Sequence, residues 1–259
     1  MPELPEVERA ARKLRRAAEG RVIAEVRLIH PSLQRRVSTA VRRALRGARV
    51  ERVERQGKHQ LLRLEDGRTV RVHFRMNGQW QFGSSEEDLP RFARALFAFT
   101  DGTRVVLDDS RALSTVEVHA AGIPVALGLG PEPGDPALTP EHLRAAFARR
   151  RAAIKPVLLD QRVIAGLGNI YAAEALWLAR IDPRATAASL TRSRVARLLE
   201  AITEVISGAT GGRYYGEGSG RFDVYDREGE PCRRCNARIA RIVQAGRSTY
   251  FCPRCQRGS

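Results

Sequence analysis

The chain has 259 residues, with 45 Lys plus Arg against 29 Asp plus Glu and a formal net charge of +16. This length is enough for two domains with buried cores, and the charge favours a polyanionic partner, nucleic acid first and an anionic membrane surface second. We expect no membrane-spanning segment, because no apolar run approaches the roughly 20 residues that a spanning helix needs. The first residues also lack a basic segment followed by an apolar signal core, so we expect a cytoplasmic protein.

The chain opens with MPELPEVE, which is typical of a helix start. Pro5 suits the first helical turn, where its missing N–H costs nothing, and Glu6 lies at the positive end of the helix dipole. Apolar positions then recur with helical spacing up to about residue 19, and Gly20 predicts the end of the helix. A helix start explains neither Pro2 nor Glu3.

The rest of the first half alternates apolar and polar residues, as half-buried strands do. Asp66-Gly67 and Asp101-Gly102 predict hairpin turns between these segments. A Gly- and Pro-rich stretch, GLGPEPGDPAL, follows and indicates a linker. We therefore predict an α+β multidomain protein whose first domain, residues 1–130, is β-rich and headed by one helix.

The second half is predicted to be helical over residues 131–222. Residues 139–141, Thr-Pro-Glu, indicate a helix start, and helical patterns continue to about Ser207. A GLGN turn lies between two amphipathic pieces of this half. A helix that begins at Asn169 would offer backbone N–H groups to an anion, and Lys155 could reach the same phosphate. The alternative is a glycine turn with a purely structural role.

The four cysteines of the chain form a C-x2-C-x16-C-x2-C arrangement and are Cys232, Cys235, Cys252 and Cys255. Two thiolate pairs at this spacing are typical of a tetrahedral zinc site, and four protein ligands leave zinc no open position for catalysis. We therefore expect one structural Zn2+ in a third domain, residues 223–259; unligated thiols or disulfides are the alternative. Between the pairs, the pattern predicts a hairpin that turns at Ala245-Gly246. Its arginines are either phosphate contacts or merely solvated.

Five segments, in their order along the chain, resemble the bacterial formamidopyrimidine-DNA glycosylase and endonuclease VIII family of base-excision repair enzymes. They are MPELPEVE, HFRMNG, LLDQRVIAGLGNIYAAEAL, YDREGEPCRRC and GRSTYFCPRCQ. The opening PELPEVE favours the formamidopyrimidine branch. The resemblance implies an N-terminal β-sandwich, a helix–two-turns–helix domain and a C-terminal zinc finger. It also implies a monomer that acts on damaged double-stranded DNA in the bacterial nucleoid.

The resemblance gives the opening residues a catalytic role. It implies that Met1 is removed and that the secondary amine of Pro2 attacks the anomeric carbon of the damaged nucleotide. The resulting iminium ion acidifies the neighbouring sugar carbon, so that both flanking phosphates leave by β,δ-elimination. Glu3 is implied as the acid/base that opens the sugar ring, with Glu6 supporting it.

Other site residues follow from the resemblance one position at a time. Lys58 and Arg247 match catalytic groups that contact phosphates at the lesion, and His73 matches a phosphate contact. Met76 matches the residue that fills the space of the flipped-out base. Taken alone, Lys58 reads as a solvated lysine, and His73 and Met76 read as core residues. Lys155 and Asn169 match the phosphate grip of the helical domain.

Two departures from the family pattern concern the substrate. The formamidopyrimidine branch shows Arg-Arg-Phe-Gly after Asp-Pro, whereas this chain reads DDSRALST, which keeps Arg111 and places Leu113 at the phenylalanine wedge. The segment after Gly212, with Tyr214 and Tyr215, is about half as long as the loop that closes over oxidised purines in that branch. We therefore expect weaker excision of 8-oxoguanine than PELPEVE suggests, and better activity on abasic sites and poorly stacked lesions.

Two alternatives stay open at the level of sequence. One is a glycosylase of the same family specialised for oxidised pyrimidines, hydantoins or abasic sites. The other is a non-catalytic zinc-finger DNA-binding protein, in which Pro2 only begins a helix. Composition and cysteines alone favour the second alternative, and the PELPEVE opening favours an enzyme.

Overall fold

The computed structural model of the chain describes residues 1–84, 86–212 and 222–257. It divides into two compact units, Met1–Leu127 and Gly128–Ser259. The segment with Tyr214 and Tyr215, on which part of the substrate prediction rests, lies outside the described residues.

The first unit begins with a helix and continues as strands, as the sequence predicts. The helices are α1 (Leu4–Ala18), α2 (Pro31–Gln34) and α3 (Thr39–Ala44). The strands are β1 (Ile23–Leu28), β2 (Val50–Gln56), β3 (His59–Leu64), β4 (Thr69–His73), β5 (Gln79–Ser84), β6 (Ala93–Phe99), β7 (Thr103–Asp108) and β8 (Thr115–His119). Within the described residues they form two four-stranded antiparallel sheets, in the orders β1-β6-β7-β5 and β2-β3-β4-β8.

Both predicted hairpin turns are confirmed. Gly67, between β3 and β4, and Gly102, between β6 and β7, each have a φ of +84°. This left-handed conformation is strained for residues with a Cβ atom, which explains the glycine at each turn.

A buried apolar cluster forms the core of this unit. It draws Leu14 and Ala18 from α1, Leu62 from β3, Phe97 from β6 and Leu107 from β7. Burial of each large side chain stabilises the fold by about 1.5–3 kcal/mol, so the sheets and α1 support one another. The result is the β-sandwich headed by a helix that the resemblance implies.

The second unit is mainly helical up to Thr210 and ends in a hairpin. Its helices are α4 (Pro140–Phe147), α5 (Ile154–Leu158), α6 (Asn169–Leu178) and α7 (Arg192–Thr210). Thr139 caps α4 as predicted, because its hydroxyl accepts a hydrogen bond of 3.1 Å from the backbone N–H of His142. None of the described helices is both long enough and apolar enough to cross a lipid bilayer.

The C-terminal hairpin pairs β9 (Ala240–Gln244) with β10 (Arg247–Phe251). Ala245 and Gly246 form the turn, with φ values of +47° and +71°. The cysteine region packs against α6 through a small buried cluster that includes Trp177, Cys232 and Ile239. Because this cluster is small, we expect a bound metal ion to contribute much of the free energy that stabilises the hairpin.

Candidate functional site

The N-terminus places a buried carboxylate next to Pro2. Glu3 is 1% exposed and is the N-cap of α1, while Pro2 is half-buried. The backbone N–H of Glu3 donates to Glu6 Oε2 at 2.9 Å, which is one half of a capping box. The position of Glu3 is therefore fixed by a core helix, and its carboxylate is largely shielded from water.

The turn between β2 and β3 carries Lys58, whose side chain is buried. Arg55 supports this turn by donating to the carbonyl of Gly57 at 3.1 Å and to Glu8 Oε2 at 2.8 Å. Burial acts to raise the pKa of Glu8, but its hydrogen bonds to Arg55 and Arg15 outweigh burial and hold the pKa below its ordinary value. An ionised Glu8 thus ties α1 to the Lys58 turn.

Two histidines in edge-to-face contact lie beside Lys58. His59 and His73 are paired across β3 and β4, with ring centroids 4.6 Å apart. Burial lowers the pKa of His73 from 6.5 to about 3, with further lowering by the charges of His59, Arg75 and Lys58. Burial likewise lowers the pKa of His59 to about 4. The backbone N–H of Arg75 donates to His73 Nδ1 at 2.9 Å, so the neutral His73 ring carries its proton on Nε2 and can donate from it.

Two large apolar side chains are exposed on neighbouring loops of the first unit. Met76 is 40% exposed on the loop between β4 and β5, and Leu113 is 44% exposed on the loop between β7 and β8. Arg111, also exposed, lies on the second of these loops. Exposed apolar side chains beside a cation are suited to contact with unpaired bases, whose faces are apolar and whose edges are polar.

In the second unit, the structure places Lys155 against Asn169. Lys155 is 1% exposed, and its Nζ donates to Asn169 Oδ1 at 2.6 Å, Thr249 Oγ1 at 2.8 Å and the carbonyl of Ser248 at 3.0 Å. The amide of Asn169, the first residue of α6, also donates to the Ser248 carbonyl at 3.0 Å. These contacts occupy the three hydrogens of the ammonium group, so Lys155 positions Asn169 and the hairpin in this structure.

The hairpin presents Arg247 at its turn. Arg247 is exposed and is the first residue of β10, next to the Ser248 carbonyl that Lys155 and Asn169 hold. The buried Lys155 ammonium fixes the backbone next to Arg247. An exposed guanidinium on a fixed backbone is suited to bind a phosphate.

The four cysteines fit a structural zinc site. Their Sγ atoms all lie within 4.8 Å of one another, with Cys232–Cys255 at 3.9 Å and Cys235–Cys252 at 3.5 Å. Tetrahedral zinc with bonds of about 2.3 Å to sulfur requires sulfur atoms about 3.8 Å apart, close to both distances.

Trp177 of α6 contacts this cysteine site. Trp177 Nε1 donates to Cys232 Sγ at 3.5 Å, and the Arg234 guanidinium lies 3.7 Å from the Trp177 ring centroid. The predicted structural zinc site is therefore present and is braced from α6.

Three family models match the chain in order. They are the formamidopyrimidine-DNA glycosylase N-terminal domain over residues 1–116, the formamidopyrimidine-DNA glycosylase H2TH domain over 129–214, and the zinc finger found in FPG and IleRS over 229–258.

The chain belongs to the formamidopyrimidine-DNA glycosylase family. It is 40% identical to the formamidopyrimidine-DNA glycosylase of Paracoccus denitrificans, with 99% of this chain and 100% of the relative covered. It is 41% identical to the Chloroflexus aurantiacus enzyme, with 99% and 98% covered. These relatives confirm the family that the sequence motifs indicate.

Solved structures of the family have the same fold. MutM in complex with DNA containing carbocyclic 8-oxo-G matches with a TM-score of 0.91 at 31% identity, covering 99% of this chain and 100% of that one. Lactococcus lactis Fpg with DNA containing an abasic site matches with a TM-score of 0.91 at 30% identity and the same coverage.

Sequence reasoning missed several residues that organise the site of this glycosylase. Asp109 and Ser114 are both buried in the loop that carries Leu113, and the Ser248 carbonyl receives two hydrogen bonds. Glu174 is a buried carboxylate that accepts hydrogen bonds from three consecutive backbone N–H groups, residues 223–225. The one available signal was the presence of Asp109 and Ser114 in the DDSRALST segment that departs from the family pattern.

Proposed function

We propose that this chain is a bifunctional DNA glycosylase and AP lyase that excises oxidised bases through a Schiff base on Pro2. Membership of the family establishes the chain as a formamidopyrimidine-DNA glycosylase. The Schiff base on Pro2 and the lyase step are the proposed part. The observation that carries it is the buried Glu3 carboxylate, fixed by α1 directly after Pro2. The capping box with Glu6 shows that Glu3 also serves as a helix cap, which corrects the expectation that a helix start leaves Glu3 unexplained. Its burial directly after the terminal amine of Pro2 supports a catalytic role in addition.

The proposed chemistry begins after removal of Met1. The lone pair of the Pro2 nitrogen forms a bond to C1′, and the bond from C1′ to the damaged base breaks, so that the base leaves with the proton that the Pro2 nitrogen gives up. Glu3 gives a proton to the ring oxygen as the sugar opens, which leaves an iminium ion between Pro2 and C1′. The Glu3 carboxylate, ionised by that step, takes a proton from C2′ as the bond to the 3′ phosphate breaks. Transfer of the C4′ proton to water then expels the 5′ phosphate in a second elimination.

Phosphate binding is assigned to cations and donors of both units. In the first unit, Lys58 and the Nε2–H of His73 bind phosphates beside the damaged nucleotide. In the second unit, Asn169 and Arg247 bind phosphates of the same duplex. Lys155 acts indirectly, because its hydrogen bonds to Asn169, Ser248 and Thr249 hold Asn169 and the hairpin in position.

Met76, Leu113 and Arg111 are assigned to the space that the flipped-out base leaves behind. The exposure of Met76 and Leu113 supports this role, since side chains of this size are normally buried. Leucine lacks the flat face that stacks on bases, a contact worth roughly 1–3 kcal/mol per base. The proposed substrates are therefore abasic sites and poorly stacked oxidised bases, such as oxidised pyrimidines and hydantoins, ahead of 8-oxoguanine. Such bases cost less to extrude.

Borohydride trapping on a panel of duplexes tests this proposal. The panel holds an abasic site, an oxidised pyrimidine, a hydantoin and 8-oxoguanine opposite cytosine, all in one sequence context. We expect covalent complexes with the native chain and with Pro2→Gly, which keeps a terminal amine. A chain whose terminal nitrogen is acetylated is the matched control and should give none. Equal trapping by the acetylated chain contradicts the proposal.

A further inference from the structure

Two loops of the first unit, the methionine loop (74–78) and the wedge loop (109–114), are held together by one buried hydroxyl. We propose that Ser114, fixed by Asp109, couples these loops so that Met76 and Leu113 enter the DNA as one rigid element. The inference rests on the proposed function, in which both side chains fill the space of the extruded base.

Asp109 organises the wedge loop from inside. Its carboxylate is fully buried, with Oδ1 accepting from the backbone N–H of Arg111 at 3.0 Å. Oδ2 accepts from the backbone N–H groups of Leu113 and Ser114, both at 2.8 Å, and from Ser114 Oγ at 2.7 Å. The loop backbone is thereby fixed on both sides of Ala112, which has a left-handed φ of +52°.

The Ser114 hydroxyl also reaches the methionine loop. Its Oγ lies 3.1 Å from the carbonyl of Phe74, which accepts in addition from the backbone N–H of Gly78 at 3.1 Å. A hydroxyl has one hydrogen, so the shorter bond to the Asp109 carboxylate takes it for most of the time and the Phe74 carbonyl shares it. The contact between the two loops therefore depends on the single hydroxyl group of Ser114.

Packing makes the same connection independently of the hydrogen bonds. A Cβ atom added to Gly78 would lie 2.4 Å from Ser114 Oγ and 2.8 Å from the Phe74 carbonyl oxygen. A Cβ atom does not approach another heavy atom this closely in folded proteins, so the end of the methionine loop fits against the serine with no spare space. Movement of either loop displaces the other.

The strands that flank the two loops are also paired. His73, before the methionine loop, lies opposite Thr115, after the wedge loop. Gln79, after the methionine loop, lies opposite Asp108, before the wedge loop. Both loops thus run side by side between the same two sheets, and Ser114 joins them between fixed ends.

The coupling compensates for a departure from the family pattern. Arg-Arg-Phe-Gly has glycine where this chain has Ser114, and glycine offers no hydroxyl to join the loops. The same pattern has phenylalanine where this chain has Leu113. A preorganised pair of loops loses less conformational entropy on entering DNA, which offsets part of the stacking that leucine forfeits.

Double-mutant cycles test the coupling. Met76→Ala, Leu113→Ala and the double variant are compared in the native background and with Ser114→Ala or Ser114→Gly. Dissociation constants for a duplex with a stable abasic analogue and single-turnover excision rates are measured for each. With Ser114 present, the fold-loss of affinity or rate in the double variant should be smaller than the product of the two single fold-losses, by about fivefold or more. The reason is that truncation of either side chain already weakens the insertion of both. In the Ser114→Ala and Ser114→Gly backgrounds, the loss of affinity or rate in the double variant should equal the product of the two single losses to within about twofold.

Controls separate coupling from general destabilisation. Ser110→Ala removes an exposed hydroxyl from the same loop and should leave the fivefold coupling unchanged. Coupling of equal size in the native, Ser114→Ala and Ser114→Gly backgrounds overturns the inference while leaving the proposed function intact. If neither Met76→Ala nor Leu113→Ala alters binding or excision in the native background, these side chains do not fill the space of the extruded base. That result overturns both their proposed role and the coupling.

Discussion

Lys155 Nζ lies 2.6 Å from Asn169 Oδ1, and the two residues share the carbonyl of Ser248 as a hydrogen-bond acceptor. This contact joins α5, the start of α6 and the zinc hairpin within one unit. The sequence predicted that Lys155 binds a phosphate itself. In the structure it instead positions Asn169 and the hairpin that carries Arg247, the residues that are proposed to bind phosphates.

Replacement of Lys155 should destabilise the second unit. Lys155→Met leaves the buried Thr249 hydroxyl and the half-buried Asn169 amide oxygen without their donor, at a cost of about 1–3 kcal/mol for a buried unsatisfied group. We expect the free energy of unfolding in urea to fall by at least about 2 kcal/mol. Arg247→Ala is the matched control on the same hairpin: it should weaken DNA binding while changing stability by less than about 0.5 kcal/mol. A stable Lys155→Met variant with an isolated loss of DNA affinity would instead indicate direct phosphate contact.

Removal of zinc should affect one unit and not the other. The two tryptophans report separately, because Trp80 is buried in the first unit, where it donates to Gln60 Oε1 at 2.8 Å, and Trp177 contacts Cys232. In Trp80→Phe, chelation or Cys252→Ser should change the emission of Trp177 and abolish duplex binding. In Trp177→Phe, the emission of Trp80 should stay constant under chelation. Fully active protein without zinc in metal analysis would refute the structural role of the metal.

The free energy of unfolding should decrease as the pH is lowered, because of the edge-to-face pair His59 and His73. Their pKa values in the folded state, about 4 for His59 and about 3 for His73, lie below the ordinary 6.5. Between pH 6.5 and about 4, the unfolded chain therefore binds more protons than the folded chain, and acidification favours unfolding. The double variant His59→Gln, His73→Gln should show a smaller loss of stability between pH 7 and pH 5. NMR of the native protein should show both rings neutral at pH 5; titration of either ring above pH 6 would contradict this.

An aromatic wedge should restore activity on 8-oxoguanine. Leu113→Phe adds a stacking face at an exposed position, so single-turnover excision of 8-oxoguanine should rise by about fivefold or more, with little change on an abasic site. Leu89→Phe, at another exposed leucine of the same unit, is the control and should change neither rate. If the native chain already excises 8-oxoguanine tenfold faster than any other lesion, the argument from Leu113 is wrong.

Local signals predicted the parts of the fold that depend on neighbours in sequence. The start of α1, the turns at Gly67 and Gly102, and the hairpin turn at Ala245-Gly246 each rest on a few adjacent residues. The cysteine site was predictable because metal ligands leave a fixed spacing. The short helices α2 and α3 have four and six residues and leave no periodic pattern of useful length.

Long-range contacts explain what the sequence did not reveal. Lys155 and Thr249 are 94 positions apart, and Glu174 is 49–51 positions from the backbone groups that it binds. Periodicity reports which face of an element is buried, but it carries no information about which distant donor meets a buried acceptor. For Ser114, the departure from the family pattern was visible, while its partner Phe74 became evident only in the folded chain.

Mapping the borohydride-reduced adduct identifies the nitrogen that forms the Schiff base, which is proposed to be that of Pro2. Native protein is trapped with borohydride on abasic DNA, digested with trypsin and nuclease, and analysed by mass spectrometry. We predict that the sugar remnant is attached to the peptide PELPEVER, residues 2–9, at its terminal nitrogen, with Met1 absent. An adduct on Lys58 or any other lysine, or an adduct on a chain that retains Met1, would contradict the account.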